Sequence, residues 1–331
     1  MLFIPSQPLG DNGKASQGAG YFTADNPPFG ATFTYYLKES IKTKKEIRQE
    51  DEKKLIKENK PIPFPSNEEL RQEDNEQKPF LLFTVYDDSN NVIRKLTASA
   101  SAGINRITWD LRYPSTDPIK TPRIEFSNSS DGMLVSPGSY SVTLSKCVDG
   151  VTTLLNGPQK FTTEILNNST LPASNKEKLA EFQKKVAELN RAVMGAVNVA
   201  NNLAEKIKLI KTAIINTPNL DLGMFKQADS IEVKNEEIIR QLTGDKSLIS
   251  RNINVPPSIV DRVQSIIGDE WQSSSSPTKT DKDNYENASE LFSKLLPNLR
   301  SLIEIDLNSL QNELESSGAP WTPGRFPDWK K

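Results

Sequence analysis

The residues most suggestive of chemistry in this 331-residue chain lie together at 103–114, GINRITWDLRYP. The string carries an acid, Asp110, a neighbouring cation, Arg112, and two aromatics, Trp109 and Tyr113. Such a set invites a catalytic reading. Glycoside hydrolysis would need a second carboxylate facing the first across a cleft. The acids near aromatics are Asp25, Asp87, Asp88 and Asp110, and their settings read as turns and surface. Strand alternation gives a different account of the string. Ile107, Trp109 and Leu111 share one face and form core, while Asp110 and Arg112 stand on the other and hold a corner. Trp109 and, further on, Tyr140 are therefore taken as structural core residues, and the string as a middle strand of a sandwich.

Composition narrows the chemistry further. The chain has no histidine and one cysteine, Cys147. An internal disulfide and a cysteine-based zinc site are excluded, as is Ser-His-Asp or Cys-His catalysis. A carboxylate pair, a Ser-Lys arrangement or an oxygen-ligated calcium or magnesium site remain. Ser145 and Lys146 are adjacent on a strand and point to opposite faces. Asp87-Asp88-Ser89-Asn90-Asn91 lacks the Asp-x-Asp-x-Asp-Gly pattern of a calcium loop and reads as turn chemistry. No residue is assigned as catalytic, cofactor-binding or metal-ligating. Asn128, Asn168 and Asn287 open glycosylation sequons, a pattern of low specificity.

The 41 basic and 43 acidic residues nearly cancel, which leaves no long-range field for nucleic acid. No apolar run approaches the ~20 residues that span a bilayer. The opening MLFIPSQPLGDNG lacks a basic n-region, so the expectation is either a cytosolic protein or a segment whose export signal lies elsewhere.

These residues must be positioned by the elements around them. Residues 1–30 are rich in Gly, Pro and Asn and read as a loop segment. ATFTYYL at 31–37 reads as a strand, and the charge-dense run 39–60 as an exposed helical arm. PIPFP at 61–65 ends that arm, and Ser66 with Glu69 forms a capping box for a short helix. From Phe80 the period becomes two. FLLFTVYD and NVIRKLTA form a hairpin, GINRITWDLRYP follows, 115–131 is a polar loop, and SYSVTLSK, VTTLL and PQKFTTEIL supply further strands. About seven short strands over residues 31–166, with a charged helical insertion at 39–78, predict an immunoglobulin-like antiparallel β-sandwich.

After a linker at 167–173 the period changes to three and four. Ser174 with Glu177 suggests another capping box. Leu179, Phe182, Val186, Leu189, Val193, Ala196, Ala200, Leu203, Ile207, Ile210 and Ile214 then form a seam on one helix, on the order of 60 Å long. Further helices are predicted at Met224–Leu242 (ended by Gly244), Pro257–Trp271 and Asp283–Glu315, with Pro297 kinking the last. Residues 174–316 thus predict an antiparallel helical bundle, making the chain α+β with two domains. In the tail, 317–331, Trp321, Phe326 and Trp329 are expected to pack back onto the body. Together with Trp271 they are also the candidate interaction aromatics.

Several phrases occur in an order that resembles a known family: NPPFGATFTYYLKE, EELRQE, VYDDSNNVIRKL, GINRITWDLRYP, VSPGSYSVTL, PSIVDRV, PTKTDKDNY and GAPWTPGRFPDW. They resemble the C-terminal region of secreted bacterial BNR/sortilin-like β-propeller proteins, often labelled glycosyl hydrolases, over nearly the whole chain. The sandwich also resembles the FlgD-type immunoglobulin-like module. The resemblance implies a secreted, periplasmic or cell-surface setting and a β-propeller partner. Any hydrolase chemistry would belong to that propeller, which this sequence lacks. The leading functional expectation is a non-catalytic structural or interaction module. A glycan-binding accessory module is second, because sugars stack on exposed tryptophans, and a carboxylate-based hydrolase is third.

Overall fold

The computed structural model describes residues 27–119, 132–165, 171–218, 220–221, 223–271, 273–327 and 329. Residues 1–26, where most of the expected N-terminal loop segment and Asp25 fall, residues 120–131 of the expected 115–131 loop, with Asn128, and residues 166–170, with Asn168, lie outside the described residues. The chain divides into two compact units, Met1–Ser115 with Ile124–Ser169, and Thr116–Arg123 with Thr170–Lys331.

In the first unit, period-two alternation of apolar and polar residues builds six strands among the described residues. They are β1 (Ala31–Leu37), β2 (Phe80–Asp87), β3 (Val92–Ser99), β4 (Gly103–Trp109), β5 (Gly138–Val148) and β6 (Val151–Thr163). One antiparallel sheet has the order β3-β2-β5-β6, and a second holds β1 and β4, with Ala31 opposite Trp109. β4 is therefore not a middle strand, because it pairs with β1 alone. It also ends sooner than its alternation suggests. Leu111 lies beyond it at φ +58°, where Asp110 Oδ1 accepts the Arg112 N–H at 3.2 Å and turns the chain. VTTLL and PQKFTTEIL, read as two strands, are the single strand β6. Its surplus residues are absorbed by register shifts opposite Val142–Ser145.

The apolar sides of both sheets share one core. Phe33, Ile107 and Trp109 meet Leu81, Phe83, Val85, Leu96, Tyr140 and Val142. Trp109 is wholly buried and meets Tyr140 and Phe161 edge-on at 5.6 and 6.1 Å. Its indole N–H donates to Arg112 O at 3.0 Å. Tyr140 donates to Ser136 O at 2.5 Å, and burial pushes its phenol up to about 12. Between β1 and β2 stand α1 (Lys44–Lys57) and α2 (Asn67–Asn75), each opened by a capping box: Thr43 with Glu46, and Ser66 with Glu69. Neither helix buries a residue.

The second unit is helical. It comprises α3 (Lys176–Ile215), α4 (Gly223–Thr243), the single turn α5 (Lys246–Ile249), α6 (Ile259–Glu270), α7 (Lys279–Ser301) and α8 (Asn308–Ser316). A π-helical stretch, Leu302–Leu307, joins α7 to α8. Asn175 rather than Ser174 caps α3, its side chain accepting the Lys178 N–H. No capping box forms there, whereas Ser258 with Asp261 and Thr278 with Asp281 do form them. α7 accordingly begins ahead of Asp283 and continues through Pro297. Hydrogen bonds fix two antiparallel pairings. Asn235 reaches Ala200 O while Lys211 pairs with Asp229 and Glu232, so α4 runs against α3. Gln183 reaches Glu270 and Gln264 reaches Asn190, so α6 also runs against α3. The aliphatic seam is buried as predicted from Leu179 to Ile214, with Phe182 and Leu189 half-buried. Gln183 and Asn190 are buried in the same seam. Asn190 Nδ2 also donates to Thr116 Oγ1 and Asp117 Oδ1, at 2.9 and 3.0 Å, which ties the start of the 115–131 loop to α3. No helix among the described residues is long and apolar enough to cross a membrane.

Candidate interaction site

The segment after α8 is built from local rules. Ser317 caps the helix and Gly318 follows at φ +67°. Ala319 N–H donates to Leu314 O at 3.0 Å, and Gly318 N–H to Glu315 O at 3.1 Å. That is the Schellman pattern, in which a residue without Cβ takes the left-handed position. Ala319 and Leu314 both join the bundle core, and Pro320 prevents the helix from resuming.

The chain then folds into a loop around one arginine. Arg325 Nη2 donates to Ala319 O at 2.9 Å and to Pro320 O at 2.6 Å. Its backbone N–H reaches Thr322 O at 3.3 Å, and its carbonyl accepts the Trp321 indole N–H at 2.8 Å. Arg325 Nε lies 3.4 Å from Glu315 Oε2 on α8. Ala319, Thr322 and Arg325 are buried. The large aromatics, expected against the body, are the parts of the tail that face outward. Trp321 is 57% exposed, Phe326 92% and Trp329 86%. Three large rings within nine residues are exposed, Trp321 on the fixed loop and two just after it, which suits them to contact rather than to stability. Trp271, the fourth candidate, is buried at the end of α6 and is a core residue.

The other candidates behave as turns or core. Asp87 accepts from the backbone and side-chain nitrogens of Asn91 at 2.7 and 3.0 Å, closing the β2–β3 hairpin. Asp88 stands next to it with Ser89 at 3.5 Å, and Asp110 holds the corner after β4. Cys147 is buried, its sulfur 3.3 Å from Thr152 Oγ1. Asn287 is exposed on α7 and donates to Asp283 O. Among the described residues no group of three or more Cys, Asp or Glu side chains could hold a metal ion.

Two features were not singled out from sequence. A groove of about 430 Å³ lies between α1 and α2, lined by Ile47, Leu55, Phe64 and several charged residues. Its walls are joined by Arg48, which forks onto Glu73 at 2.6 and 2.8 Å and reaches Glu52 at 2.5 Å. The second is a buried acid pair, Glu270 at the end of α6 and Asp281 in the first turn of α7. Burial, with the Asp281 charge nearby, pushes Glu270 up to about 7, against the opposing hydrogen bond from Gln183. Both carboxyls are shut away from solvent, so no substrate reaches them in this fold. The signal for Glu270 is present in the sequence, because 259, 263, 266 and 270 step along one face of α6.

Compared with protein-family models, with curated proteins and with solved structures, the chain gives no match.

Proposed function

We propose that the chain is a non-catalytic interaction module whose contact surface is the tail aromatics Trp321, Phe326 and Trp329. The observation that carries this reading is their exposure, Trp321 on a loop pinned from beneath by Arg325 and Phe326 and Trp329 in the segment that follows it. Aromatic side chains dominate the centres of protein interfaces and anchor much of their binding energy. The fixed loop presents Trp321 without a large ordering cost. In this reading the strand-bearing unit is an immunoglobulin-like sandwich. What supports that assignment is the shared core of the two sheets, the central Trp109 and the Tyr140 hydroxyl returning to Ser136 O in the manner of a tyrosine corner. The partner we infer is a β-propeller, on the same polypeptide or a separate one, in a secreted or cell-surface setting; the eight ordered phrases support this inference.

The test is co-purification with a matching propeller, using the whole chain and the variant W321A/F326A/W329A. Association that is lost in the variant, with its melting temperature unchanged, is the expected result. If the native chain fails to associate, or the variant associates equally well, the reading is overturned. A second reading, glycan binding, draws on the same exposed indole faces. It is favoured instead if neutral oligosaccharides quench the fluorescence of the native chain and not that of the variant.

A further inference from the structure

Beneath the outward-facing aromatics, the tail loop and α8 hold several buried hydrogen-bond donors, some of them without an acceptor. The buried nitrogens Gln311 Nε2 and Arg325 Nη1 and the hydroxyl Thr322 Oγ1 have no hydrogen-bond partner, while Arg325 Nε faces Glu315 Oε2 in an ion pair at 3.4 Å. Each of the three residues is more than nine-tenths buried. They belong to α8 and to the loop of residues 322–325, in which Gly324 faces Lys206 and Gln311. A Cβ on Gly324 would fall 2.5 Å from Lys206 Nζ and 3.7 Å from Gln311 Nε2. The Lys206 ammonium, half-buried on α3, therefore stands over the same glycine. It has no hydrogen bond or ion pair with any described residue.

Buried donors are almost always paired, and leaving them unpaired is costly. Here the unmet groups share one polarity. The guanidinium, the ammonium and the amide NH₂ only donate, and the hydroxyl is able to. The acid nearby is Glu315, whose Oε2 lies 3.4 Å from Arg325 Nε. Nη2 is committed to Ala319 O and Pro320 O, which leaves Nη1 to face a new acceptor. Among the described residues, Arg325 and Lys206 set two cations beside the Glu315 carboxylate. We propose that Gln311, Thr322 and Arg325, gated by Lys206, form a binding site for a small oxyanion, either a carboxylate or a phosphate-type group. Lys206 contributes its flexible end, so an outward swing of that one side chain admits the ion and then closes a charge-assisted contact over it. Gly324 leaves the approach free of a side chain.

The site does not depend on the aromatic surface reading. The donors lie under the loop and the rings lie outside it, so either proposal stands if the other fails. The test measures thermal unfolding and calorimetric binding of the whole chain with sodium acetate, sodium phosphate or sodium sulfate, each against sodium chloride at equal ionic strength. A ligand that binds the folded state raises the melting temperature with its concentration. The expected result is saturable stabilisation, by acetate if the site takes carboxylates and by phosphate and sulfate if it takes tetrahedral anions. Affinity should fall at least about tenfold in both Lys206→Met and Gln311→Leu, the loss of roughly one charged hydrogen bond. Lys206→Met changes a half-exposed residue and keeps the assay valid if Gln311→Leu folds poorly. The proposal is overturned if no anion exceeds chloride, or if the stabilisation is undiminished in Lys206→Met. It is equally overturned if Thr322→Val and Gln311→Leu gain stability with no anion effect, the behaviour of donors served by water alone.

Discussion

The chain contains the same small device twice, with opposite outcomes. In the corner after β4, the Trp109 indole N–H donates to Arg112 O at 3.0 Å. In the tail, the Trp321 indole N–H donates to Arg325 O at 2.8 Å. Each clamp closes a turn of four or five residues. At the corner the ring is inside, with no exposed surface, and Arg112 Nη1 reaches out to Gly132 O at 2.7 Å. At the tail the ring is outside, 57% exposed, and the arginine is the buried anchor. The hydrogen bond is local geometry in both places. The neighbours that each ring meets decide whether it supports the fold or is left for a partner.

Trp109→Ala should break this contrast most severely. It removes a fully buried indole along with its edge contacts to Tyr140 and Phe161. Large-to-small changes of this kind cost about 3–5 kcal/mol. Urea unfolding of the native and variant chains measures it, and a variant with an unchanged midpoint would remove Trp109 from its place as core anchor.

A third tryptophan tests what burial does to its polar neighbour. Trp271 is inside, and Glu270, one residue earlier, is carried inside with it. The carboxyl value is raised from 4.5 to about 7 in the folded chain. The folded chain therefore holds a proton that the unfolded chain releases, and stability falls as pH rises between those values. At about 1.4 kcal/mol per pKa unit, the loss is on the order of 1–3 kcal/mol. Glu270→Gln should flatten that slope and be the more stable form at pH 8. Midpoints at pH 5 and pH 8 read the difference between the two chains, and parallel pH profiles would contradict the assignment.

Most of the framework was legible because its period is strong. Two-residue alternation marked β2, β3 and β5, and the three-four spacing marked α3 and α4. Ser66 and Gly244 marked helix ends. The misses have physical causes. Ser174 and Asn175 are both competent caps, and propensity does not choose between neighbours. Gly157 and Pro158 looked like a break in β6, yet a sheet absorbs extra residues as bulges. Following only apolar residues along α3 and α6 stepped over Gln183, Asn190 and Glu270, which occupy the same faces. The tail was misjudged because ring size was taken to imply burial. There a buried guanidinium satisfies two backbone carbonyls left beyond a helix end, Ala319 O and Pro320 O, which no ring could do.

Tyr140→Phe is a milder probe of the corner. It keeps the ring against Trp109 and removes the donor to Ser136 O. The loss should be about 1 kcal/mol, the net worth of one such bond, and thermal unfolding is sensitive enough to read it. A change as large as that of Trp109→Ala would mean that the hydroxyl, rather than the indole, organises the corner.

Trp321→Ala should have the smallest effect on stability. The ring is mostly in water, and the indole N–H that is lost can be replaced at Arg325 O by solvent. Surface changes of this kind stay within about 0.5 kcal/mol. If instead the variant unfolds at a markedly lower temperature, the clamp rather than Arg325 holds the loop, and the two devices are less different than their burial implies. With stability unchanged, a fall in partner affinity of more than tenfold would place the ring at the centre of an interface, where truncated aromatics commonly cost 2 kcal/mol or more. The same substitution would then be silent in unfolding and decisive in binding, the reverse of what its counterpart at 109 should show.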